Sequence, residues 1–139
     1  MQKLLIITMF IITSNSFSQQ IRLNDQYGAK LYYVAGETIH SKDIYGDKLY
    51  YLDGQTIRRK DQYGDKLFYI DKETIRYKDQ YGEKLFYFDG KTIRYKDQYG
   101  EKLYFIDENT IRRKDEYGEK LFWFESIPEK WVIICIINL

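Results

Sequence analysis

The sequence repeats itself every 18 residues, six times without a gap, from Ile21 to Pro128. Copies begin at Ile21, Ile39, Ile57, Ile75, Ile93 and Ile111. In every copy the fifth residue is Asp, the seventh and eighth are Tyr-Gly, the tenth is Lys and the eleventh is Leu. Such a chain must fold as an array in which one local backbone recurs. Its stability must come from contacts between neighbouring units, because a unit this short buries too few side chains to offset its own chain entropy.

Each unit carries two turn signals, Asp-x-Tyr-Gly in its middle and Asp-Gly or a relative near its end, as at Asp53-Gly54 and Asp89-Gly90. The stretches between them are rich in Ile, Tyr, Phe, Leu and Arg, too short for helices and of strand composition. Each copy therefore reads as a β-hairpin and the chain as an all-β, twelve-strand meander. With Tyr81-Gly82 at the centre of the turn, Asp79 faces Lys84, Tyr77 faces Phe86 and Ile75 faces Phe88. A one-residue slip would set Asp79 against Glu83. In this register Ile75, Tyr77, Phe86 and Phe88 share the core face, and Arg76, Lys78, Leu85 and Tyr87 the outer face.

An open meander leaves two unpaired edges, so closure or near-closure into a ring or flower is expected. A ring of twelve short strands is too wide for its own side chains to fill and calls for a plug. The segment 129–139 supplies one in Trp131 to Ile137, apolar throughout. Ser126-Ile127-Pro128-Glu129 fits a capping box and favours a short helix there, although the β-branched run favours a strand. A β-solenoid of 18-residue coils is the alternative architecture; it would stack Lys on Lys and Asp on Asp, whereas hairpins pair Asp with Lys.

The N-terminus reads as an address. Lys3 precedes an apolar run from Leu4 to Ile12, and Ser16-Phe17-Ser18 offers small residues at the positions a signal peptidase reads. Residues 1–18 are expected to be a signal peptide cleaved after Ser18, with 19–128 the repeat domain. The apolar run is about half the roughly 20 residues of a membrane-spanning helix. The mature chain, exported to the periplasm, the cell surface or the medium, has no expected transmembrane span. Its one thiol, Cys135, forms no internal disulfide. Lys and Arg number 22 against 21 Asp and Glu, and Lys3 lies in the leader, so the mature chain is neutral and has no basic field for nucleic acid.

No catalytic, cofactor-binding or metal-binding constellation emerges from the residues. His40 stands alone where the other copies carry Arg and reads as a solvent-facing substitution; Cys135 reads as an inert buried thiol. Six equivalent acids, Asp25, Asp43, Asp61, Asp79, Asp97 and Asp115, look like turn chemistry and cross-strand pairing. The outer face is the candidate ligand surface. Arg58, Arg76, Arg94 and Arg112 lie opposite Tyr69, Tyr87, Phe105 and Trp123 in the register above, so Arg stems cover aromatic rings or present a guanidinium and aromatic surface to a protein or glycan.

The recurring Thr-Ile-Arg-x-Lys-Asp-x-Tyr-Gly-x-Lys-Leu-Tyr/Phe-Tyr-x-Asp-Gly behind a leader resembles the bacterial β-flower repeat proteins over Ile21 to about Glu125. The resemblance implies short hairpin petals around an axis and brings no reaction, cofactor or catalytic residue. The expected function is a non-catalytic structural or binding role at the cell envelope. The alternative is a small secreted hydrolase or enzyme inhibitor with its site in an irregular copy.

Overall fold

The computed structural model describes residues 18–137; the leader expected over 1–18 lies, but for Ser18, outside them. Twelve strands run in chain order: β1 (Ser18–Leu23), β2 (Lys30–Ala35), β3 (Thr38–Ser41), β4 (Lys48–Asp53), β5 (Thr56–Arg59), β6 (Lys66–Asp71), β7 (Thr74–Tyr77), β8 (Lys84–Asp89), β9 (Thr92–Tyr95), β10 (Lys102–Ile106), β11 (Thr110–Arg113) and β12 (Lys120–Trp123). Each pairs antiparallel with its sequence neighbours, and β1 pairs with β12 to close the barrel. The Tyr-Gly loops therefore gather at one end of the barrel and the Asp-Gly turns at the other.

The inward face is written in the repeat. The six Ile residues that open the copies are fully buried, as is Phe124 at the fourteenth position, and Val34, Phe88 and Ile106 at the same position are buried with at most 5% exposed. The helix α1 (Lys130–Ile137) buries every residue from Trp131 to Ile137 in the same cluster. Trp131 lies near Leu52 and Ile70 toward the Asp-Gly end, and Ile136 and Ile137 lie near Leu121 and Phe122 toward the other. The helix thus threads the lumen as the plug that a twelve-strand ring requires. It starts later than a capping box at Ser126 implies: the Glu129 carbonyl accepts the first helical bonds, from the Val132 and Ile133 amides.

The hairpin register differs from the sequence expectation. Ile75 stands opposite Phe86, not Phe88, and Arg76 opposite Lys84, with the register shifting between Ile75 and Arg76. Leu85 is the extra residue of this bulge, and it packs against the core instead of facing outward. Tyr77, expected inside, ends β7 at the rim and is 55% exposed. The cause is the loop. It spans six residues, and Asp79 does not face Lys84 but turns inward on the loop, where its Oδ1 accepts the Tyr81 amide at 2.9 Å. The same bond recurs at Asp25, Asp43, Asp61, Asp97 and Asp115.

The glycine of each Tyr-Gly pair is required by close approach. A Cβ on Gly82 would fall 1.6 Å from the Tyr77 carbonyl oxygen, and the other five copies show the same distance to the equivalent carbonyl. The residue before each Asp takes a left-handed backbone, φ 61° at Asn24 and 67–68° at Lys42, Lys60, Lys78, Lys96 and Lys114. This strained turn aims the amide at the preceding unit: Lys78 N–H donates to the Leu67 carbonyl at 2.9 Å. Across the closure the equivalent bond is Asn24 to Leu121 at 3.1 Å.

Candidate binding grooves on the outer face

The outer-face arginines meet aromatic residues, but of the preceding unit. Arg58 stands opposite Tyr51, Arg76 opposite Tyr69, Arg94 opposite Tyr87 and Arg112 opposite Phe105, while Trp123 faces Arg22 across the closure. The bulge moves each expected partner by one hairpin. The guanidinium groups themselves are occupied by the scaffold. Nη1 of Arg58, Arg76, Arg94 and Arg112 donates to the carbonyls of Gly64, Gly82, Gly100 and Gly118 at 3.0–3.1 Å. Nε of Arg58, Arg76 and Arg94 donates to the Asp that opens the preceding turn, at 3.0–3.4 Å. His40 occupies the same place: its half-buried ring sets Nδ1 2.9 Å from the Gly46 carbonyl, so that nitrogen carries the proton. It is a substitute clamp and not a solvent-facing replacement.

With each Arg committed to its loop, the free surface lies between loops and hairpins. Two grooves of one design are open there. The first, about 320 Å³, is lined by Thr92, Lys102 and Phe105 on one hairpin and by Asp115, Glu116 and Tyr117 of the next loop. The second, about 400 Å³, contains Thr110, Lys120 and Trp123 with Asp25, Gln26 and Tyr27. These residues are the same repeat positions one unit on, and the second set bridges the barrel closure because the unit after the sixth is the first. Asp107, Glu108, Asn109 and Arg112 enlarge the closure groove.

The outer wall of each groove is the loop tyrosine. Tyr27, Tyr45, Tyr63, Tyr81, Tyr99 and Tyr117 are 86–94% exposed, held out by a loop whose own bonds are made by Asp and Gly. Tyr117 hydroxyl ionisation is pushed up by a hydrogen bond to Glu116. Asp107 is held below the usual carboxylate range chiefly by the Glu108 amide, which together with Arg112 outweighs the opposing effect of desolvation. The grooves therefore offer an aromatic floor, an aromatic wall and fixed charges of both signs. Phe105, Trp123 and Arg112 of the sequence-based surface line them; the loop tyrosines were legible only as turn residues, since nothing in one sequence separates a turn aromatic from an exposed contact.

Elsewhere the chemistry is sparse. Cys135 is a free thiol, 1% exposed, and burial pushes its ionisation far up. Among the described residues no group of three or more His, Cys, Asp or Glu side chains could hold a metal ion. None of the described helices is long and apolar enough to cross a membrane. No family model, curated protein or solved structure matches the chain.

Proposed function

We propose that the protein is an exported, non-catalytic β-repeat module of the cell envelope that binds glycan, its outer grooves holding successive sugars of a polysaccharide. The observation that carries this reading is the recurrence of one groove at two positions related by a single repeat. A pyranose ring offers an apolar face that stacks on Phe105 or Trp123, and hydroxyls that suit Asp, Lys and Thr at the rim. Two equivalent shallow sites one repeat apart match a repeating polymer, in which individually weak contacts add through linkage.

The test is capture on an array of bacterial polysaccharide fragments, comparing the wild type with a Tyr27→Ala/Tyr117→Ala variant. Both tyrosines lie in open solvent, so the variant should melt as the wild type does. It should bind at least about tenfold more weakly, with loss of any ligand-induced change in tryptophan fluorescence. Equal capture by both proteins, or no capture at all, contradicts the proposal; cleavage of an array member supports the hydrolase alternative instead.

A further inference from the structure

We propose that the exported chain begins at Gln19 and that this residue closes into an N-terminal pyroglutamate. The inference rests on the reading of the protein as exported and adds a covalent step at the first residue of the barrel. Gln19 is 5% exposed and sits in β1 opposite Val34, itself 2% exposed, on the inward face that also holds Ile21. Neither its side-chain nitrogen nor its side-chain oxygen has a hydrogen-bond partner. Its neighbour differs in every respect: the Gln20 side-chain nitrogen donates to the Tyr32 carbonyl at 2.7 Å and to the Lys42 carbonyl at 2.6 Å. One glutamine amide is used by the fold and the other is buried without use.

Cleavage after Ser18 places the new terminus on that unused residue. A free terminus there would hold a charged ammonium group beside a side chain enclosed by the barrel, at a desolvation cost that the uncharged form avoids. Glutamine has its own remedy. The unprotonated α-amino nitrogen attacks the side-chain carbonyl carbon, a C–N bond forms, the C–N bond of the primary amide breaks, and the amide nitrogen leaves as ammonia with the proton lost by the amine. The product is a neutral five-membered lactam, and no oxidant or co-reactant is consumed. The reaction proceeds on the newly exported chain, before β1 pairs with β2 and β12. Gln20 could not serve in its place, because its α-nitrogen is bound in the peptide link to Gln19; its side-chain amide is used instead by the folded barrel, at the Tyr32 and Lys42 carbonyls.

The experiment is expression of the full chain with its own leader in a bacterium, recovery from periplasm or medium, and intact-mass measurement with amine labelling of the terminus. The expected mass is that of residues 19–139 less one ammonia, with no labelled α-amine. A Gln19→Ala chain, processed at the same bond, should carry one labelled terminal amine and its full mass. A wild-type chain starting at Gln19 with a free amine overturns the cyclisation and leaves the export reading intact. A different first residue overturns the Gln19 terminus and its cyclisation alone, and a retained leader overturns the export reading with them.

Discussion

Gly82 and Gly90 look alike in the sequence, one glycine per turn, yet the structure uses them for different reasons. At Gly82 the backbone has no room for a Cβ, which would strike the Tyr77 carbonyl; at Gly90 there is open space, but φ is +59°. Gly82→Ala should therefore cost about 3 kcal/mol or more, and Gly90→Ala only about 1 kcal/mol, as read by urea unfolding. Lys72, at φ 56° in the turn equivalent to Gly90, shows that an ordinary side chain is tolerated there. The arginine clamps are tested in the same way. Arg76→Ala removes a charged donor from the Gly82 carbonyl and should cost about 1.5–3 kcal/mol. His40→Arg, which restores the donor used in the other copies, should leave stability unchanged or raise it.

Helix α1 is the element on which the barrel's interior depends. Ile134 is fully buried, and Ile134→Ala should cost about 2–5 kcal/mol, measurable as a lower urea midpoint. Cys135, next to it, reports on the same packing without mutation. Its thiol is enclosed and its ionisation suppressed, so a thiol reagent at neutral pH should label it only at the rate at which the barrel opens. Rapid labelling under native conditions would show that the helix leaves the lumen. The strands and the burial of Ile, of the twelfth-position aromatics and of the fourteenth position were legible from the repeat because hydrophobic parity survives any shift by two. The pairing register was not. Leu85 looks like an ordinary strand residue, and nothing in its identity announces a bulge; Lys78 carries no glycine or asparagine to mark its left-handed backbone. The groove aromatics Phe105 and Trp123 were legible as outer-face residues, but the loop that completes each groove comes from the next unit, which only the three-dimensional array brings near.

For the whole molecule the decisive contact is the closure of β1 on β12. It is the shortest pairing in the barrel, Arg22 with Trp123 and Leu23 with Phe122, and the Asn24 to Leu121 bond adds to it. Hydrogen exchange should find amides at this closure opening at lower free energy than those of central strands such as β6 and β7. The closure also creates the larger groove, so opening it should weaken ligand capture there before the remaining hairpins unfold. The central claim is that six hairpins form a closed barrel around the C-terminal helix. Its most direct measurement is a nuclear Overhauser spectrum of the isotope-labelled mature protein: backbone contacts between Leu23 and Phe122, with side-chain contacts from Ile134 to the inward isoleucines, are the predicted result. Strong hairpin contacts without any between the first and last strands would contradict it.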